Sequence, residues 1–211
     1  MEEEVYSRNT EKAVDAGKVT SKGLCHFVLE EFKSFTKTTE NINKDIIKEH
    51  HRISNPAFEN MSKSEGAFQD PFQICKCYMP CKSDIKSIEE ADLCTLITAI
   101  FNFSPFRKRL SDVEPLYLKA RLQAKYIHGH AKHAELKKLL TERELLDYID
   151  QLVKFLLAVE AVDQDDTSIS GARKDLEKVV LKNVLPVLLT LELYNHKSKH
   201  VNRKNNVAVK V

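Results

Sequence analysis

Three capping boxes constrain this chain more than any other feature: Ser87 with Glu90, Ser111 with Glu114, and Thr141 with Glu144. In such a box the hydroxyl accepts a bond from a first-turn backbone N–H, and the Glu reaches back to the N–H of the capping residue. Each box leads into apolar residues at helical spacing. The first run carries Leu93, Leu96, Ile97, Ile100 and Phe101 to about Phe103. The second carries Leu116, Leu118, Leu122 and Tyr126, with Pro115 in the first turn, where its missing N–H costs little. The third carries Leu145, Leu146, Ile149, Leu152, Val153, Leu156 and Leu157. Only five Gly and six Pro occur in 211 residues, and no strand pair is joined by a hairpin signal. The expected fold is all-α, a compact multi-helix bundle.

Around these runs the pattern is less regular. A short amphipathic segment at 5–16 predicts a helix stopping at Gly17, with Thr20 or Ser21 capping a longer one. Leu24, Phe27, Val28, Phe32 and Phe35 then fall on one helical face, and Ile42, Ile46 and Ile47 extend the stripe unless the polar stretch 36–43 divides it. Periodicity fades over 50–70, where Asn55-Pro56 and Gly66 are loop signals. DPFQICKCYMP (70–80) reads as one or two helical turns tucked against the core. After the acidic linker VDQDDTSISG, a last helix, apolar on much of its circumference, is expected to kink at Pro186. The expected organisation is a helical domain over 5–162, an apolar C-terminal helix over 168–195 that packs or binds a partner, and a basic, disordered tail over 196–211.

Composition narrows the function classes. A net charge of +2 supplies no global field toward nucleic acid or acidic lipid. The acidic start argues against a secretory leader, and an odd five cysteines suit reduced thiols, so the expected compartment is the cytosol, with the nucleus second. The most apolar run, 184–193, is too short to cross a bilayer, so no membrane association is expected. Cys75, Cys77 and Cys81 lack the paired knuckles of a zinc site, and buried free thiols are the expectation. His128, His130 and His133 do not share one face of a continuous helix. No GxSxG elbow or phosphate-cradling glycine loop is present, so neither a metal nor a small-molecule cofactor is expected. The RKR run at 107–109 lacks interleaved aromatics and reads as solvated surface.

One constellation points to chemistry. In RLQAKYIHGH (121–130), Arg121 and His128 stand seven residues apart, about two helical turns and roughly 10 Å along the axis. A fixed cation beside a titratable imidazole suits phosphate binding and proton transfer near neutral pH. On the plainer reading, Arg121 pairs with an acidic neighbour and His128 caps a helix C-terminus, where the dipole favours a cation.

An arginine followed a few residues later by histidine, in a compact all-helical domain, resembles the signature of the HEPN superfamily. More of the chain resembles an animal branch of that superfamily, shared with some RING-type ubiquitin ligases. The blocks are GLCHFVLEEFKSF, then DPFQICKCYMP with its terminal Met-Pro, then EEADLCTLITAIFNFSPF, followed by the Arg/His segment. The resemblance covers roughly 6–162 and implies a HEPN-like bundle. For catalytic members it implies metal-independent, two-protomer endoribonucleases that attack through the RNA 2′-hydroxyl. In this branch the motif reads Arg-Asn-x-x-x-His, which aligns its arginine with Gln123 and its polar second residue with Ala124. Arg121 is displaced from that position, and Leu122 follows it in place of a polar residue. The expectation is therefore a non-catalytic HEPN-like module for protein–protein or RNA-linked assembly, with a protein partner or self-association. The alternative is an endoribonuclease using His128 as acid/base and Arg121 as phosphate clamp.

Overall fold

The computed structural model describes residues 2–52, 55–80, 84–111, 115, 118–119, 122–123, 141–163 and 166–179, with backbone alone at 2–7, 107 and 108. These residues are largely helical and include no strand; an isolated antiparallel bridge joins His51 to Phe103. The expected all-α class is observed. The helices are α1 (Glu2–Thr38), α2 (Lys44–Glu49), α3 (Pro71–Cys77), α4 (Leu93–Asn102), α5 (Ser104–Leu110) and α6 (Glu142–Val162). Short 3-10 turns lie at Phe58–Asn60 and Ile88–Glu90, and residues 167–179 are helical. The chain divides into two compact units, Met1–Leu176 and Glu177–Val211. Of the second, residues 177–179 are described, and they are helical. The rest of the predicted C-terminal helix and the basic tail lie outside the described residues.

Helix α1 is the spine of the first unit and packs against α3, α4 and α6. It corrects the expectation of a stop at Gly17, because one helix runs through both Gly17 and Gly23. Neighbouring groups explain the glycines. A β-carbon on Gly23 would stand 2.4 Å from Ala172 Cβ, and one on Gly17 would stand 3.3 Å from Tyr148 Oη. Close approach to a neighbour, rather than chain termination, is their use here. The anticipated caps are also redeployed: Thr20 Oγ1 donates to Ala16 O within the helix, and Ser21 Oγ donates to Ala91 O across the core.

The predicted stripe is the heart of the core. Leu24, Phe27, Val28, Phe32 and Phe35 are buried. The polar stretch does divide it: α1 ends at Thr38, and Ile47 is buried from the separate helix α2, capped by Asn43. Phe32 stacks on Phe103 at 4.3 Å, Phe103 lies 4.8 Å from Tyr78, and Phe27 lies 5.4 Å from Phe106. The buried Tyr78 hydroxyl donates to Ile47 O at 3.0 Å, which satisfies its polar end. Truncating Phe32 to Ala would cost about 3–5 kcal/mol, the usual range for a buried Phe. Helix α3 is the short, core-facing helix expected at 70–80, capped by Asp70 with Pro71 in its first turn.

Of the three boxes, Thr141–Glu144 forms in full at the start of α6. The first does not open its helix. Ser87 precedes only the 3-10 turn, and α4 begins later, at Leu93, capped by Asp92, whose carboxylate accepts from Thr95 N–H at 2.8 Å. Glu90 instead accepts from Lys86 N–H at 2.8 Å. Ser111 follows α5 directly, and Glu114 lies outside the described residues. Helix α5 itself is a correction, because the run thought to end near Phe103 resumes at once as Ser104–Leu110. Pro105 sits in its first turn, which tolerates proline. The acidic linker is shorter than expected, since residue 167 is already helical. Asp166 is the reason: its buried carboxylate accepts from Ser168 N–H at 2.8 Å, as a helix cap does.

Candidate functional site

Arg121 and His128, the residues singled out for chemistry, lie outside the described residues, as do His130 and His133. The position aligned with the expected arginine is described. Gln123 is helical and half-buried, and its Nε2 donates to Asp147 Oδ2 of α6 at 3.0 Å. Its carbonyl oxygen is buried without a hydrogen-bond partner. Lys119 Nζ stands 3.7 Å from Asp147 Oδ1, with both side chains half-exposed. A neutral amide held on a carboxylate thus occupies the place where the resemblance puts a phosphate-binding cation. The amide itself carries no charge, and the cation described beside it, Lys119, faces the same carboxylate.

The same stretch exposes apolar surface. Leu118 is 38% and Leu122 68% exposed, and both are helical. The two leucines are thus an exposed apolar pair in the stretch that carries Gln123.

Of the RKR run, Arg109 is exposed, as expected of a surface residue, yet it is also well partnered. Its guanidinium pairs with Glu31 of α1, donates to Val162 O at the end of α6, and lies 5.3 Å from the Phe27 ring centroid. Asp163 adds a carboxylate at 3.6 Å. The side chain therefore joins α1, α5 and α6. His26 Nδ1 lies 3.1 Å from Asp166 Oδ2, tying α1 to the cap of the 167–179 helix. Arg173 binds Glu160 at 2.7 Å through Nε, which holds that carboxyl below its ordinary range.

Cys25, Cys75 and Cys77 are free and buried, and Cys94 is half-buried. Burial, aided by Glu89, pushes Cys25 up to about 11; burial, aided by Glu59, pushes Cys77 up to about 12. Burial also lifts Cys75 well above the usual thiol value. Cys81 lies outside the described residues, among which no cluster of His, Cys, Asp or Glu is arranged to hold a metal. No helix among them is long and apolar enough to cross a membrane.

One feature escaped the sequence. A groove of about 560 Å³ lies between α1, the Ile88–Glu90 turn and the start of α4, with Tyr148 of α6 contributing to its lining. Tyr148 gave no distinctive signal beyond a place on the apolar face of α6. Gly17 was the legible clue, but a helical glycine reads equally well as a stop.

No protein-family model matches the chain, and neither a curated protein nor a solved structure matches it.

Proposed function

We propose that this chain is a non-catalytic, HEPN-like helical module of the cytosol or nucleus that assembles with protein, first of all with a second copy of itself, and that RNA is a linked partner rather than a substrate. The observation carrying this reading is the Gln123–Asp147 pair. Where the HEPN-like motif places its arginine, this chain has an amide engaged by a carboxylate. The exposed leucines Leu118 and Leu122, the ridge of this reading, support assembly, because exposed apolar side chains gain free energy when a second surface covers them. The apolar segment toward 195 is a second contact surface on this reading.

The test has two arms. Purified protein is incubated with single-stranded RNA in EDTA, and we expect no cleavage above that of a His128→Ala control. Cleavage abolished by that substitution would establish the endoribonuclease with Arg121 and His128 instead. Light scattering should show a dimer that Leu118→Asp combined with Leu122→Asp dissociates.

A further inference from the structure

The basic run 107–109 ends two residues before a serine, Ser111. That serine has Lys or Arg at each of the second, third and fourth positions before it, and no other Ser or Thr of the chain has them at both the second and the third. It directly follows Leu110, the last residue of α5, and is exposed. Arg109 is exposed as well, whereas Leu110 between them is only 5% exposed and holds this turn to the core. An exposed hydroxyl behind a run of cations is what a kinase with an acid-lined substrate groove selects. The groove's carboxylates pair with the cations, and charge patterns of this kind set kinase–substrate specificity.

In the folded chain one of these cations is already engaged. Arg109 pairs with Glu31 of α1, has Asp163 at 3.6 Å, and donates to Val162 O at 3.1 Å. The Glu31 side chain is only 13% exposed, which shields its end of the pair from the solvent and salt that weaken surface pairs. A kinase groove therefore has to draw Arg109 from Glu31 before it reads the whole run. The acceptor stands in the open, and its recognition is gated by a bond between α5 and α1.

We propose that Ser111 is a phosphorylation site for a serine/threonine kinase that selects basic residues ahead of its acceptor, and that Glu31 competes with that kinase's carboxylates for Arg109. In the transfer, Ser111 Oγ bonds to the γ-phosphorus of ATP as the bond from that phosphorus to the β,γ-bridging oxygen breaks. The hydroxyl proton passes to the kinase's base, and ADP leaves. The product carries about −1.5 to −2 charge at neutral pH, close in the chain to Arg109. The proposal does not depend on the assembly reading.

The probe is the catalytic subunit of cyclic-AMP-dependent protein kinase, a basic-directed enzyme, supplied with ATP and Mg²⁺ and the full chain. Phosphate is located by mass spectrometry, and its rate of incorporation is measured. We expect one phosphate per chain, on Ser111, and its loss in Ser111→Ala. Lys108→Ala removes the cation at the third position and should slow incorporation roughly tenfold. Glu31→Gln leaves the run intact and loosens Arg109, so it should speed incorporation about two- to fivefold, with the helical circular dichroism unchanged. A natural chain left unmodified while a standard peptide substrate is phosphorylated would overturn the proposal. So would phosphate confined to other residues, or an unaltered rate in Lys108→Ala. An unaltered rate in a folded Glu31→Gln protein would overturn the competition for Arg109.

Discussion

The Arg109 guanidinium meets a carboxylate on α1, a carbonyl at the end of α6 and the face of Phe27, all from one side chain on α5. Its residue type and its neighbours in RKR read as solvent-facing, since a basic run carries no local sign of a partner 78 positions away in the chain. Only the fold brings Glu31 to it. Arg109→Met keeps most of the stem's packing and removes the charge-assisted bonds. We predict a loss of about 1–2 kcal/mol in urea denaturation, discounted for a partly exposed side chain. An unchanged midpoint would show that these bonds add nothing to stability. His51 makes a different residue-scale prediction. Its ring stacks on Tyr78 at 5.4 Å, its Nδ1 is buried without a partner, and burial lowers its pKa. With the folded value below the unfolded one, the unfolded state takes up the proton first as pH falls. Stability is therefore full above the unfolded pKa and is lost as pH drops toward the folded value. His51→Phe should flatten the decline between about pH 7.5 and 5.5, where imidazole titrates and carboxylates do not. An identical pH slope in both proteins would contradict this role.

Among the elements, what the sequence made legible was local, and what it concealed was tertiary. The Thr141–Glu144 box, the Asp70 cap with Pro71, and the stripe from Leu24 to Phe35 each depend on residues within a few turns. The box and the stripe appear as expected, and the short helix expected at 70–80 forms with Asp70 as its cap. The start of α4 was misplaced because Ser87 and Asp92 both offer a cap, and local pattern does not rank them. Gly17 was misread because a glycine that ends a helix and a glycine that admits a neighbour look the same in one dimension. Arg121 and His128 lie outside the described residues, and the candidate site is read through Gln123. Gly23 tests the close-approach explanation. A Gly→Ala change inside a helix ordinarily gains about 1 kcal/mol. Here the new β-carbon would lie 2.4 Å from Ala172 Cβ, and displacing that backbone is costly. We predict that Gly23→Ala destabilises by about 1–3 kcal/mol, the range for overpacked cores. Adding Ala172→Gly should restore part of the loss in thermal denaturation, and additive losses would sink the explanation. Thr141→Ala removes a formed box and should cost about 0.5–2 kcal/mol by the same measurement.

Across the unit Met1–Leu176, a long α1 organises a helical core sealed by aromatic rings, and Gln123, beside α6, is an amide held on Asp147. On the proposed reading, this surface serves contact. A ridge of Leu118 and Leu122 is small, so the dimer it supports should be reversible and concentration-dependent. The direct measurement is light scattering on the 24.2 kDa chain across a hundredfold concentration range, with and without the paired aspartates at 118 and 122. We predict a mass that rises toward twice that of the chain for the natural sequence and stays at one chain for the variant. A single-chain mass for the natural sequence at every concentration, or a dimer the aspartates leave intact, would contradict assembly through this ridge.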